Sequence, residues 1–115
     1  MPFDRGDVVL VLFPDSNLRT AKRRPALVVQ ASNLQTGLDQ TIVAMISSNM
    51  SRVGIPCRLA ILNSSPEGLK MGLHSDSVIL ADNLATVVDV EIDRVIGHCP
   101  VLFDVDAALR TALGL

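Results

Sequence analysis

The chain's 115 residues are 49% hydrophobic and 19% charged, and ten Lys and Arg against twelve Asp and Glu give a formal charge of −2. That length bounds it to one domain over residues 1–115, and so apolar a composition excludes a disordered chain. The acidic balance argues against nucleic-acid binding by bulk charge, and three Phe with no Trp or Tyr argue against stacking bases on aromatic platforms.

The run Val8-Val9-Leu10-Val11-Leu12-Phe13, bounded by Gly6 and Pro14, predicts a buried strand. It is the longest apolar run, far short of the ~20 residues a membrane span needs. Asp4, Arg5 and Asp7 leave no apolar stretch of signal-peptide length at the start, so a soluble, cytoplasmic protein with no membrane partner is expected. Residues 14–23 read as a polar loop, long for a hairpin connection, and long loops in compact domains tend to be functional. Arg24-Pro25 opens a second strand, Ala26–Gln30, with the proline at a strand start where its missing donor does least harm.

Ser32–Gln40 is a second polar connection and Thr41–Ile46 a third strand, followed by the polar loop Ser47–Arg52. Arg58–Leu62 predicts a fourth strand with turn residues Asn63–Gly68 after it. Ser77–Ala81 is a fifth strand, Ala85–Val88 a short sixth, Asp89–Asp93 a helical turn and Arg94–Cys99 a last strand. Asp104 is placed to cap a helix whose Val105, Ala108, Leu109, Ala112 and Leu113 share one face, with Gly114 as its C-terminal stop. Many short strands and a terminal helix predict a mainly β (α+β) fold, a small β-barrel with one packed helix.

Cys57 and Cys99 form no CxxC pair and read as two buried thiols, a disulfide between them having no support. His74 and His98 stand apart, outside any metal-binding spacing, and read as ordinary polar or half-buried side chains. GxGxxG, GxxxxGK[ST] and GxSxG are all missing, so no metal and no cofactor is expected.

The uneven feature is Arg19, Lys22, Arg23 and Arg24, four of ten basic residues within six positions. Such a cluster is either a solvated loop guarding a sheet edge or a local anion site, since fields act over roughly 8–10 Å whatever the net charge. Ser47-Ser48-Asn49 ends the third strand. Were strands two and three antiparallel neighbours, Arg24 and Ser47 would face a common point. Taken alone, Ser47 is also an ordinary turn residue.

Four blocks now stand in order: Gly6-Asp7-Val8-Val9-Leu10-Val11, Arg24-Pro25-Ala26-Leu27-Val28-Val29, Ile42-Val43-Ala44-Met45-Ile46-Ser47 and Asp76-Ser77-Val78-Ile79-Leu80. Together, and with the ending Leu113-Gly114-Leu115, they resemble the MazF/PemK toxins, endoribonucleases of bacterial toxin–antitoxin systems. The resemblance implies a compact SH3-like, CcdB-like barrel, a homodimer, metal-independent cleavage of single-stranded RNA, and a cognate antitoxin with a disordered acidic and apolar tail. It implies catalytic roles for Arg24, before the strand-two proline, and for Ser47, where relatives more often carry Thr. It also implies RNA contacts from the Asp15–Arg23 loop, with Arg19, Lys22 and Arg23, and from Ser48, Asn49, Asp76, Ser77 and Asn83. The loop lacks the Gly-Ser-Glu-Gln-like segment of several relatives, so no cleavage motif carries over.

The reaction expected is attack of the substrate 2′-hydroxyl on phosphorus, leaving 2′,3′-cyclic phosphate and 5′-hydroxyl ends. Arg24 would stabilise the dianionic phosphorane with its planar fork. Two other classes compete. A CcdB-like poison of DNA gyrase would cut nothing and would act through the C-terminal helix, residues Arg110–Leu115. A catalytically silent dimer would only receive an antitoxin and would not arrest growth.

Overall fold

The computed structural model describes residues 3–14, 19 and 21–115. Strands β1 (Asp7–Pro14) and β2 (Ala21–Val28) pair antiparallel, from Val8 opposite Leu27 to Pro14 opposite Ala21. They are followed by β3 (Gln40–Ser47), β4 (Arg58–Ile61), β5 (Ser77–Val88) and β6 (Ile92–His98). The helices are α1 (Pro66–Met71), between β4 and β5, and α2 (Leu102–Leu113) at the end. The sheet order is β4-β5-β3-β2-β1-β6, antiparallel throughout.

Both faces of this sheet are apolar. Val8, Leu27, Ala44 and Ile79 lie on one face with Met71 and Val105 from the two helices. Val9, Val11, Ala26, Val28 and Val43 lie on the other with Val87 and Ile92. Burial on both sides explains why β1 reads as an unbroken apolar run rather than an alternating one.

The second face is covered by the sheet's own curl. β5 and β6 lie four ladder steps apart, about 19 Å on a flat sheet at ~4.8 Å per step. A 3-10 turn, Asp89–Glu91, nevertheless joins them directly. Val88 to Ile92 spans at most about 14 Å even fully extended, so the sheet must bend to bring its edges together. Thr41 Oγ1 donates to Asp89 Oδ1 at 2.7 Å and pins this corner to the start of β3. The ladder still ends at β4 and β6 among the described residues. The expected barrel is therefore a curled open sheet, mainly β with α added.

Several boundaries differ from expectation for identifiable reasons. β2 begins at Ala21, so Pro25 is internal rather than first. β3 pairs only with Ala26–Val28, leaving one edge of β2 unpaired at Pro25, so the missing N–H costs no ladder bond there. The two strands expected over 77–88 are one: the register against β3 jumps from Leu84 to Leu80 between Ala44 and Met45, leaving Ala81, Asp82 and Asn83 as a bulge on β5. The residues taken as a turn hold α1, with Ser65 as N-cap accepting from the Gly68 amide and Pro66 at the first position. In α2, Val101 is the N-cap and Asp104 lies in the first turn instead, where its charge still meets the positive end of the helix dipole. Val105 and Ala108 are buried as expected, whereas Leu113 is exposed. Cys57 and Cys99 are free thiols buried in separate clusters, and desolvation raises the Cys99 pKa.

One contact positions the site. The end of α1 lies directly on β6, and two glycines allow it. Gly72 caps the helix at φ 71°, and a Cβ there would strike the Ile96 carbonyl. A Cβ on Gly97 would lie 2.5 Å from the carbonyl oxygens of Lys70 and Met71.

Candidate anion-binding cleft

The sheet splits where β2 leaves β3. Their ladder stops at Ala26 opposite Met45, and continuing the same register would set Arg24 opposite Ser47. A cavity of about 500 Å³ opens at this split. Leu10, Pro25, Ile46, Leu73 and Ile96 give it an apolar floor, while Lys22, Arg23, Arg24, Ser47, Ser48, Asn49 and Arg52 form much of its polar wall. Gly72, His74, Ser75 and Ser77 complete the lining, on the segment leading into β5, whose Val78 pairs with Ser47.

The wall offers mostly donors. Four cations line it, and no Asp or Glu does among the described lining residues. Arg23 Nε reaches Asp93 Oδ2 on β6 at 3.2 Å, which partly balances one of them. Ser47 Oγ accepts the Asn49 amide at 3.1 Å, which leaves its own proton to offer a ligand. Asn49 Oδ1 accepts from both the amide and the hydroxyl of Ser51, at 3.1 and 2.6 Å. That fixes the side-chain amide with its NH₂ as the unspent end. Asn49 also caps the 3-10 turn Met50–Arg52, so the same side chain that lines the cavity orients the turn carrying Arg52.

Arg58 supports that turn from outside the cavity. Its guanidinium donates to the Arg52 carbonyl at 3.0 Å and to Asp82 at 2.9 and 3.4 Å. The hydrogen bond from Arg58 is the main reason the Asp82 carboxyl sits below the usual carboxylate range, and the same bond raises Arg58.

The residues singled out by sequence divide into two groups. Arg24, Ser47, Lys22, Arg23, Ser48, Asn49 and Ser77 line one cavity, including the Arg24–Ser47 juxtaposition expected from antiparallel neighbours. Ser77, however, is buried and its hydroxyl donates to the Ser75 carbonyl at 2.9 Å. Arg19, Asp76 and Asn83 are not in the lining. Asp76 instead accepts the Asn63 amide at 3.0 Å, and Asn83 is exposed on the β5 bulge. The expected RNA-contacting loop, at residues 15–18 and 20, lies outside the described residues.

Sequence reading missed Arg52 and His74. Arg52 carried a signal, standing five positions after Ser47 at the end of the same polar loop. His74 carried none, because its place in the lining depends on α1 reaching β6. Among the described residues no group of three or more His, Cys, Asp or Glu is placed to hold a metal ion. No described helix is long and apolar enough to cross a membrane.

Residues 4–113 match the family model described as "PemK-like, MazF-like toxin of type II toxin-antitoxin system". No curated protein sequence matches the chain. Among solved structures, an endoribonuclease from a mycobacterial species superposes with a TM-score of 0.72 at 23% identity, covering 100% of this chain and 94% of that one. An endoribonuclease in complex with its cognate antitoxin, also mycobacterial, gives 0.73 at 23% identity over 98% and 96% of the two chains. MazE–MazF from Deinococcus radiodurans gives 0.75 at 20% identity over 100% and 99%.

Proposed function

Because the chain belongs to the PemK-like, MazF-like toxin family of type II toxin–antitoxin systems, we propose that it is an endoribonuclease cutting single-stranded RNA in the cleft between β2 and β3. The observation that carries this reading is the composition of the wall: four cations, serine hydroxyls and an oriented amide, with no carboxylate among its described residues. Such a set selects a polyanion and repels nothing on a phosphodiester. The apolar floor beside it suits a ribose or base face.

In this reading the substrate's own 2′-hydroxyl attacks phosphorus and the 5′-oxygen leaves. A 2′,3′-cyclic phosphate and a 5′-hydroxyl end result. Charge accumulates on the two non-bridging oxygens, and the Arg24 guanidinium offers paired N–H groups to both. Ser47 donates its remaining proton to the same phosphate. Arg23 and Lys22, one and two places before Arg24 on β2, hold the flanking phosphates. Losing one donor to the developing oxyanion typically costs roughly 10²–10³ in rate.

The toxin would act in the cytoplasm, as a homodimer held by a cognate antitoxin. Exposed apolar side chains support the partner reading: Phe103 in the first turn of α2 and Leu115 just past its end are 87% and 81% exposed. An acidic, apolar tail would complement such a surface in hydropathy and the cationic cleft in charge. The test of the nuclease reading is cleavage of a single-stranded transcript in EDTA by the wild type and by Arg24→Ala. We expect cyclic-phosphate ends from the wild type and a ~10²–10³-fold slower variant. Equal rates would remove Arg24 from the chemistry.

A further inference from the structure

A 2′-hydroxyl that attacks phosphorus must lose its proton, and the cleft's cations cannot take it. Lys22, Arg23, Arg24 and Arg52 are of types that stay protonated at neutral pH, and no carboxylate is present among the described lining residues. Among the described lining residues, the one of a type that accepts protons near neutrality is a histidine, His74. We propose that His74 is the general base of the transesterification. The assignment rests on the nuclease reading above.

The placement of His74 is built rather than incidental. It follows Gly72, whose left-handed conformation ends α1 against β6. Its carbonyl accepts from Asn63 Nδ2 at 3.1 Å, and the Asn63 amide donates to Asp76 Oδ1 at 3.0 Å. Ser77 Oγ closes the next turn on the Ser75 carbonyl at 2.9 Å. The backbone on both sides is thus held while the side chain itself is exposed in the cleft wall. A base on a fixed backbone in the same cleft as Arg24 and Ser47 can take the proton of the attacking hydroxyl while the cations hold the phosphate oxygens.

The charged groups around it come from several elements. β2 supplies Lys22, Arg23 and Arg24, and the turn after β3 supplies Arg52. β6 supplies Ile96 to the lining and Asp93 as the partner of Arg23. The nearest charges on its own segment and on α1 are Asp76, Lys70 and Glu67. The bound phosphodiester adds its own negative charge, beside which an imidazolium formed in the reaction would sit.

The step balances. The O2′–H proton moves to the imidazole as the O2′–P bond forms. The P–O5′ bond breaks and the 5′-oxygen takes a proton from the Arg24 guanidinium. Net transfer through solvent from the imidazolium to the neutral guanidine restores both groups.

The test uses the whole chain and an RNA oligonucleotide spanning a mapped cut. Its kcat in EDTA is followed from about pH 5 to 9, across the range where histidines titrate, for the wild type, His74→Gln and Arg24→Ala. Binding is measured separately with the all-2′-deoxy oligonucleotide, which cannot be cut. The wild-type rate should climb with pH and then level off. His74→Gln should be slower by ~10²–10⁴ and should lose the plateau, its rate climbing with hydroxide, while deoxy binding stays within about threefold. A His74→Gln profile shaped like the wild type's overturns the assignment, as does a loss of deoxy binding matching the loss of rate. Should Arg24→Ala be slow while His74→Gln is unchanged, only this inference fails. A wild type that cuts no RNA overturns the nuclease reading with it.

Discussion

The α1–β6 contact makes one prediction sharp, because its geometry leaves little room for adjustment. In Gly97→Ala the added methyl would sit 2.5 Å from two backbone carbonyl oxygens, against 3.4–4 Å for ordinary contact. About 1 Å of displacement is needed, and what must move is backbone rather than the end of a flexible side chain. Overpacking of this kind costs roughly 1–3 kcal/mol. For a domain near 100 residues each kcal/mol lowers Tm by about 4–8 °C, so a drop of at least about 4 °C is expected. Even a loss of 3 kcal/mol from a native stability of about 5 leaves roughly 97% of molecules folded. Unfolding therefore cannot account for a large fall in activity. A shift of about 1 Å in the wall carrying His74 can, since misplacement on that scale costs ~10²-fold in rate. Thermal melts and RNA cleavage measured on the same sample check both effects. A Gly97→Ala variant that melts like the wild type, or one that melts lower yet cleaves at full rate, would refute the proposed link between this contact and the cleft.

Ser47→Ala should slow cleavage by roughly 10–100-fold, the worth of a hydrogen bond to a charged group, while Ser47→Thr keeps the hydroxyl and most of the rate; single-turnover rates with Ala and Thr alike would contradict this. Asp82→Asn should change how stability depends on pH. Arg58 holds the Asp82 carboxyl below its usual range, so the pair's contribution is present above the unfolded carboxyl's pKa and is lost as pH falls through the folded one. The variant's Tm should lie below the wild type's near pH 7, and the two should converge as pH falls below the usual carboxylate range. A gap that persists in acid would mean the ion pair is not its source.

The core was legible in the chain because burial on both faces writes itself as runs such as Val8–Phe13 and Ala26–Val29. The meeting of Arg24 and Ser47 at one cleft was legible once strands two and three were taken as antiparallel neighbours, although their ladder ends before either residue. What the chain concealed was mostly non-local. Pro25 reads as a strand start because proline lacks a donor, but whether a donor is missed depends on which strand lies alongside. Nothing near residues 81–83 announces that they bulge without breaking β5. α1 is a different failure: Ser65-Pro66 is a local cap and first-turn signal, overlooked because Asn63–Gly68 is equally rich in turn residues. His74 was the costliest omission, since an isolated histidine acquires chemical meaning only from its neighbours in space.

The net charge of −2 is no obstacle to an RNA site in this molecule, and the reason is distance. The chain measures 34 × 33 × 26 Å, whereas screening at physiological salt acts over about 8 Å. Carboxylates on the far side are therefore largely invisible to an anion in the cleft. Of the nearer ones, Asp93 is engaged by Arg23 and Asp82 by Arg58, while Asp76 accepts the Asn63 backbone amide. What an approaching phosphate meets is set by Lys22, Arg23, Arg24 and Arg52 at short range. They can stand together because the sheet parts at Pro25, where a continuous ladder between β2 and β3 would have closed the space between Arg24 and Ser47. Pro25, the first residue past the end of the β2–β3 ladder, and Arg24, which would bind the phosphate, are adjacent in sequence, so the cleft and its charge are formed by the same stretch of β2.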